Sequence, residues 1–339
     1  MAVAKAAIVI LTQGSEVRRA YLKTTLYFLF RHFNAKFSYP VRILVQSDYQ
    51  ENWRDEIRQS VRLNFRHLIS FVTIDDADFL TPKFIDRDRL DANLKAAPVP
   101  YWRNECYRNM CRFWLVHLPK YVADLDTMMR LDDDALIEEP IQIDLFSVMR
   151  ERGISYVSNL VHIDCPVCCY EMRDFFVNAA SGDYGRIANV TKMFHRASIK
   201  PELLKSILSC NGSNGAPSGE CYMPIMYYNN FHITDLHFWR RKDVIDLVDK
   251  IDRTGNIFYY RWGDAPLQTL ILHSLLSDNK IGTVKFRYSK RLQREAFDDH
   301  DGKLHSYMPH DYDNTTCISY QQQQEKPSLN KDVPDIITL

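Results

Sequence analysis

The sequence lacks several features that would assign it to common classes of protein. No stretch approaches the roughly 20 consecutive apolar residues of a membrane-spanning helix. Lys and Arg together number 43, as do Asp and Glu, so the formal net charge is zero and no global field favours nucleic acid or an acidic membrane surface. No internal repeat is visible. We therefore expect a soluble globular protein with neither a membrane span nor a nucleic-acid partner.

Two further absences concern the first predicted strand, residues 6–12. No Gly-x-Gly-x-x-Gly motif follows it, which disfavours a dinucleotide site. The strand contains no acidic residue, whereas phosphatases with an Asp-x-Asp nucleophile place that motif on the first strand. The apolar run from Ala6 to Leu11 lacks a cleavage region and leads into a helical pattern. We interpret it as a buried strand and not as a signal peptide.

The first half of the chain alternates short apolar runs with amphipathic segments. Strands are predicted at 6–12, 41–47, 68–74 and 127–131, and helices at 17–33, 53–63 and 107–117. This alternation predicts an α/β protein with a parallel sheet, whose ligands bind at the carboxyl ends of the strands.

The second half is less regular. We interpret residues 161–220 as loops over the edge of the sheet, because a Cys/Pro cluster and a Gly/Ser/Asn-rich stretch interrupt the pattern. Helices are predicted again at 242–251 and 265–276, the second with Asp264 as its N-cap. One domain is expected over residues 1–320, followed by a polar, flexible tail that comprises residues 321–339.

The strongest chemical signal follows the strand predicted at 127–131, which leads directly into Asp132, Asp133 and Asp134. Side chains alternate along an extended chain, so Asp132 and Asp134 are predicted on one face and Asp133 on the other. Two carboxylates on one face suit Mn²⁺ or Mg²⁺, which can hold a diphosphate and neutralise a leaving nucleotide. A solvated acidic turn is the alternative, since a bare Asp-x-Asp motif is a weak signal.

Four segments together resemble the fungal-type α-1,2-mannosyltransferases of glycosyltransferase family 15. They are FNAKFSYP at 33–40, YRNMCRF at 107–113, RLDDD at 130–134, and NFHITDLHFWR at 230–240 followed by FYYRWGDAP at 258–266. The resemblance implies a GT-A (Rossmann-like, nucleotide-sugar binding) fold, with a single mixed, mostly parallel sheet flanked by helices. It also implies a Mn²⁺ cofactor, GDP-mannose as the donor, a glycan or glycoprotein acceptor, and retention of anomeric configuration.

The same resemblance assigns metal binding to Asp132 and Asp134, and donor binding to the neighbouring Arg130 and Asp133. Where the family has Glu-Pro-Asp, this sequence has Asp-Asp-Asp, which keeps the acidic character and shortens the reach of the ligand.

Histidine and cysteine supply further candidate metal ligands. The resemblance implies a histidine ligand near the C-terminus, for which His310 is the first candidate and His305 the second. A separate cluster has the spacing of a zinc site: His162, Cys165, Cys168 and Cys169. Only one Cys-x-x-Cys pair is present, so buried thiols are the favoured interpretation of this cluster.

Two other segments are candidates for binding the donor. Arg108 and Arg112 lie four positions apart on one predicted helix, so their guanidinium groups share a face and suit a diphosphate. Salt bridges to neighbouring acids are an equal alternative. In the segment Arg-Trp-Gly-Asp, Trp262 is predicted to stack on a sugar and Asp264 to bind sugar hydroxyls, in addition to or instead of capping a helix.

One position departs from the family pattern. The family's NFEI carries the glutamate discussed as the catalytic nucleophile, and this sequence has His232 there. An imidazole replaces a carboxylate poorly beside an oxocarbenium-like centre. We expect His232 to orient the donor and prefer retention, with Asp264 or Asp235 as the candidate base if the reaction inverts. The alternative to an enzyme is a non-catalytic sugar- or nucleotide-binding protein on a transferase scaffold.

The compartment is predicted from the same absences. Since no signal peptide or anchor is recognised, we expect a cytoplasmic protein, and a lumenal Golgi domain separated from its anchor is the alternative. Eight cysteines would permit disulfides only outside the cytosol.

Overall fold

The structure is a computed structural model that describes residues 5–96, 99–179, 184–198, 202 and 220–290, and three short strands beyond them. In these ranges the strands are β1 (Ala6–Leu11), β2 (Val41–Val45), β3 (Ile69–Thr73), β4 (Thr127–Leu131), β5 (Ala135–Ile137), β6 (Tyr156–Ser158), β7 (Val161–Ile163), β8 (Phe194–Ser198), β9 (Glu220–Tyr227), β10 (Phe231–Asp235), β11 (Ile281–Thr283), β12 (Tyr288–Lys290), β13 (Phe297–Asp298), β14 (Leu304–His305) and β15 (Ile337–Thr338).

The helices of the same ranges are α1 (Glu16–Leu29), α2 (Ala35–Phe37), α3 (Glu51–Gln59), α4 (Arg87–Ala96), α5 (Glu105–Arg112), α6 (Leu118–Tyr121), α7 (Leu145–Arg152), α8 (Met172–Ala179), α9 (Tyr184–Lys192), α10 (Leu236–Trp239), α11 (Lys242–Arg253), α12 (Asn256–Tyr259) and α13 (Asp264–Leu275). One π-helical turn, Phe30–Asn34, extends α1, and a second, Phe113–His117, extends α5.

The main sheet has the strand order β15-β11-β6-β10-β4-β1-β2-β3. Strands β4, β1, β2 and β3 run parallel, whereas β10 is antiparallel to both of its neighbours, β4 and β6. The carboxyl ends of β1 and β4 and the amino end of β10 therefore meet at one edge of the sheet. Ligands of α/β sheets bind at such an edge.

Both faces of the sheet are covered because its central strands are apolar on both sides. In β1, Ile8 and Ile10 pack in a cluster with Leu22 and Leu26 of α1. Their neighbours on the opposite face belong to a second cluster, together with Trp114 of the π-helical turn after α5. Each fully buried side chain of this size contributes about 1.5–3 kcal/mol. The packing fixes β1 and β4, and with them the sheet edge.

The central strand is the best-predicted element, since β4 covers residues 127–131 as expected. The interpretation of residues 161–220 as loops is corrected, because β7, α8, α9 and β8 lie in that range. Helix α8 buries Met172 and Phe176, which are four positions apart and form its apolar face. The Gly/Ser/Asn-rich stretch 209–219 lies outside the described residues.

The predicted helix cap is also corrected. Helix α13 begins at Asp264 itself, and Gly263 occupies the N-cap position without a side-chain hydrogen bond. Of the predicted tail at 321–339, only β15 is described, and it pairs in parallel with β11. Within the described ranges no helix is both long enough and apolar enough to cross a membrane.

Candidate active site

The three aspartates occupy a tight turn between β4 and β5. The backbone N–H of Asp132 donates to the carbonyl oxygen of Asn230 (2.9 Å), just before β10, and the N–H of Ala135 donates back to the carbonyl oxygen of Asp132 (3.1 Å). Strand β5 then pairs with β12 in antiparallel register, so that Ala135 lies opposite Lys290. Two strands therefore fix the turn, one on each side.

Asp133 faces α1. Its carboxylate is 1% exposed and accepts hydrogen bonds from Thr12 Oγ1 (2.7 Å), at the end of β1, and from Arg18 Nε (2.9 Å) in the first turns of α1. Its backbone carbonyl accepts a further bond from Thr25 Oγ1. These bonds indicate that Asp133 holds α1 against the end of β4. They favour this structural role and not the predicted contact with the donor.

Asp132 and Asp134 converge on one cation. Lys290 Nζ lies 2.8 Å from Oδ2 of Asp132 and 3.4 Å from Oδ1 of Asp134. Burial raises the pKa of Asp132, but the positive charges of Lys290 and Arg130 outweigh it and hold that pKa below its ordinary value. The ammonium group marks a position at which two carboxylates share a cation, and their hard oxygens are the ligands that Mn²⁺ and Mg²⁺ prefer. The two carboxylates therefore fit the implied metal in both chemistry and convergence.

A buried arginine connects this cluster to α13. Arg130 is 2% exposed; its Nε donates to Asp132 Oδ1 (3.0 Å) and its Nη1 to Asp264 Oδ2 (2.6 Å). Asn229 Nδ2 donates to the same oxygen of Asp264 (2.8 Å), and the arginine stacks over the ring of Trp114 at 3.9 Å. The structure thus brings Asp264 to the aspartate cluster, although the two segments are more than 100 residues apart in sequence.

His232 lies directly across from Arg130 in the β10–β4 pair. Its ring is buried, lies nearly parallel to that of Tyr156 with 5.1 Å between ring centroids, and has Nδ1 3.0 Å from the carbonyl oxygen of Asn229. Burial and the charge of Arg130 lower its pKa to about 3, so the imidazole is neutral at physiological pH. The ring also borders a cavity of about 350 Å³ that has a mostly apolar wall.

Arg108 and Arg112, predicted to bind a diphosphate, donate their hydrogen bonds to other parts of the protein. Arg108 is fully buried and donates to the carbonyl oxygens of Trp102 (3.0 Å) and Phe258. Arg112 forms a forked pair with Asp252 of α11, with 2.8 Å for each of the two bonds. These contacts favour the alternative considered from the sequence, in which both arginines hold elements of the fold together.

Two other predicted residues need correction. Trp262 is 0% exposed and donates from Nε1 to the carbonyl oxygen of Tyr170 (2.9 Å), so neither face of its ring is open for stacking on a sugar. Asp235 pairs with Thr127 at the far end of β4, about 15 Å along the strand from the aspartate turn. Its carboxylate instead caps α10, accepting from the N–H of His237. This position excludes it as a base at the aspartate cluster.

The remaining candidate metal ligands are histidines and cysteines. His310 lies outside the described residues, and of His305 only the backbone, in β14, is described. Among the side chains that are described, no three histidine, cysteine or acidic groups are placed to share a metal ion, including the cluster around Cys165. His162 packs against the ring of Tyr228, and burial lowers its pKa.

Sequence reasoning missed Arg18, Lys290 and Asn229. Topology alone could have indicated Arg18, since it follows the first strand and parallel strands end at the same edge. Asn229 directly precedes a segment that the family resemblance had marked, at 230–240. Lys290 had no local signal, because it lies 158 residues after Asp132 and reaches the turn only through the pairing of β12 with β5.

Comparison with known proteins adds an independent result. The sequence profile of the family described as "Glycolipid 2-alpha-mannosyltransferase" matches residues 2–291. "Glycolipid 2-alpha-mannosyltransferase 2" of Candida albicans is 25% identical over 257 residues, which are 74% of this chain and 50% of that protein. "O-glycoside alpha-1,2-mannosyltransferase omh1" of Schizosaccharomyces pombe is 23% identical over 254 residues, 73% of this chain and 58% of that protein. The chain thus spans 50% and 58% of the length of these two relatives.

Solved structures show the same fold. The mannosyltransferase Ktr4p from Saccharomyces cerevisiae, in complex with GDP, aligns with a TM-score of 0.69 at 21% identity and covers 85% of this chain and 71% of its own. Core-mannan synthase A from Aspergillus fumigatus, in its Mn/GDP form, aligns with a TM-score of 0.67 at 19% identity and covers 91% and 82%. These likenesses confirm the predicted GT-A fold. Because the profile matches most of the chain, the protein belongs to glycosyltransferase family 15, the family of the glycolipid 2-alpha-mannosyltransferases, as its sequence motifs predict.

Proposed function

We propose that the protein transfers mannose from GDP-mannose to a hydroxyl group of a glycan or glycoprotein, forming an α-1,2 linkage with retention of configuration. The observation that carries this proposal is the connected site at the sheet edge, in which Arg130 joins Asp132 of the aspartate turn to Asp264 of α13. The names of the relatives support mannose as the sugar, and the two aligned structures with GDP support the nucleotide.

Asp132 and Asp134 are the residues that would hold a divalent ion in this proposal. When bound there, Mn²⁺ or Mg²⁺ supplies positive charge to the donor diphosphate and to the nucleotide as it leaves. Arg130 holds Asp132 in place from the buried side, and Arg18 holds Asp133 and Asp134 from the side of α1. These bonds orient the carboxylates before any ligand arrives, so binding does not have to order them.

The buried imidazole determines which chemical route is open. A neutral His232 provides no carboxylate for a covalent sugar intermediate. In the proposed route the acceptor hydroxyl attacks the face from which the nucleotide leaves. The bond from the anomeric carbon to the phosphate oxygen breaks, a bond to the acceptor oxygen forms, and the acceptor proton passes to the leaving phosphate. Asp264, fixed by Arg130 and Asn229, would position the sugar through its hydroxyl groups.

One observation favours a second candidate function. Because His232 stands where the family has its catalytic glutamate, the chain could bind a nucleotide sugar without transferring it. Donor binding without transfer or hydrolysis would support this non-catalytic alternative.

A donor panel tests the proposal directly. GDP-mannose, GDP, UDP-glucose and UDP-galactose are compared by their effect on the melting temperature, with Mn²⁺ and with EDTA. GDP-mannose at about 100 times its Kd should stabilise the protein by about 2.7 kcal/mol, and only with the metal. Asp134→Ala should reduce metal-dependent donor binding or transfer about 10–100-fold, whereas Glu51→Ala, on the exposed face of α3, should change neither.

The stereochemistry is read by proton NMR of the fresh product. An α product confirms retention, and a β product would replace it with inversion. Transfer that continues undiminished in EDTA would rule out the divalent ion while leaving the transferase activity in place.

A further inference from the structure

Among the described residues, three cations contact the carboxylates of the aspartate turn: Arg18, Arg130 and Lys290. Arg130 Nε takes Oδ1 of Asp132 at 3.0 Å, and Arg18 Nη1 takes Oδ2 of Asp134 at 3.2 Å. The remaining oxygens of these two carboxylates, Oδ2 of Asp132 and Oδ1 of Asp134, are the two that the ammonium group of Lys290 contacts. A divalent ion placed between these two oxygens would therefore occupy the position of the Lys290 ammonium group.

The two arginines are less easily displaced than the lysine. Arg130 is buried and is also bound to Asp264, and Arg18 is bound to Asp133 through two of its nitrogens. Lys290 instead contacts the two aspartates through a single ammonium group at the end of a flexible side chain. The pairing of β12 with β5 fixes the backbone of Lys290, so its ammonium group moves by rotation of the four-carbon stem.

We propose that Lys290 is an internal competitor for the divalent-ion position, so that a metal ion binds to Asp132 and Asp134 only by displacing its ammonium group. This inference rests on the metal site of the proposed function. A divalent ion and an ammonium group between the same two oxygens would repel each other strongly, because their charges would be only a few ångströms apart. The wild-type chain consequently binds divalent ions more weakly than the two carboxylates alone would.

Titration with Mn²⁺ alone tests the competition, with the unbound ion measured by its EPR signal. We expect Lys290→Met to bind Mn²⁺ at least about tenfold more tightly than the wild type, because the carboxylates lose the cation that compensates them. Lys290→Arg keeps the charge and should bind no more tightly than the wild type. Lys285→Met, on the exposed side chain five residues earlier, is the matched control and should equal the wild type.

A second measurement uses the unaltered chain, in case a variant is unstable. Lysines are acetylated under limiting reagent and quantified by mass spectrometry with and without Mn²⁺. Displacement predicts that labelling of Lys290 rises on adding Mn²⁺ while that of Lys285 stays constant. Equal Mn²⁺ affinities in the wild type and Lys290→Met, unchanged labelling of Lys290, or no Mn²⁺ binding by any variant would each overturn the competition. Donor binding and transfer, measured separately with GDP-mannose, decide whether the proposed function survives that result.

Discussion

Arg130 of β4 and His232 of β10 lie opposite each other, and both side chains are buried. Their pKa values nevertheless shift in opposite directions. Burial alone disfavours the charged form of both side chains. For Arg130, the carboxylates of Asp132 and Asp264 outweigh burial and raise its pKa, so it stays charged. For His232, the contributions of Asp264 and Asp132 are smaller than those of burial and the nearby arginine, which together lower its pKa to about 3. The pair therefore holds one fixed charge and one neutral ring.

The low pKa of His232 predicts a dependence of stability on pH. In the unfolded chain its pKa is near the ordinary 6.5, so between that value and about 3 the unfolded state binds more protons than the folded one. The free energy of unfolding should consequently fall as the pH falls from about 6.5 towards 3. Urea unfolding should show a slope up to about 1.4 kcal/mol per pH unit steeper for the wild type than for His232→Gln. Parallel curves for the two proteins would contradict the buried, neutral state.

Arg112 offers a second test at the scale of one side chain. Its fork holds Asp252, and both side chains are 11% exposed, so Arg112→Lys should cost about 1–2 kcal/mol of stability and leave donor affinity unchanged. Arg253→Lys is the matched control, since it alters an exposed pair with Asp249 on the same helix and should change stability by about 0.5 kcal/mol or less. Loss of donor affinity with unchanged stability would instead restore the diphosphate-binding role predicted from the sequence.

At the scale of secondary structure, the site depends on a connection between β4 and α13. The strand supplies Arg130, the helix supplies Asp264 in its first turn, and the bond between them is buried. A carboxylate at that end of a helix is also stabilised by the exposed backbone N–H groups. A buried ion pair thus joins the strand to the helix, and neither of its side chains is close to bulk water.

Replacing one partner of the Arg130–Asp264 ion pair should reduce the free energy of unfolding more than replacing both partners. Arg130→Met leaves Asp132 and Asp264 without their arginine, and we expect a loss of about 3–5 kcal/mol in the free energy of unfolding. Adding Asp264→Asn to that variant should recover at least about 1 kcal/mol, because one uncompensated carboxylate disappears. Chemical denaturation of the two single variants and the double variant measures the coupling. Strictly additive losses would show that the two residues act independently.

At the scale of the whole molecule, the sequence predicted elements whose signals are local. Strand β4 was predicted to the residue, because an apolar run ends there at three consecutive acids. The pairing of β12 with the aspartate turn could not be predicted, since it joins segments more than 100 residues apart and no local pattern marks it. The four-residue spacing of Arg108 and Arg112 was correct, but spacing alone does not tell which group an arginine meets.

The contrast between local signals and contacts of distant segments also explains which functional predictions were correct. The family was predicted correctly from four short motifs, because each motif can be recognised within a few consecutive residues. The assignment of Trp262 as an open platform failed, because its burial depends on Tyr170 and Phe175, which lie in a region that the sequence did not resolve into elements.

The reversed strand β10 has a consequence for how the molecule assembles. It lies between β4 and β6, and Phe231 pairs with Leu131, 100 positions earlier in the chain. Contacts of such long range form slowly, because the entropy of closing the intervening loop is lost before any pairing compensates for it. His232 and Asn229 come to the aspartates only when β10 takes its place. We therefore expect the site to be completed late in folding, after β1, β2 and β3, whose pairings join segments much closer in sequence, have formed a sheet of their own.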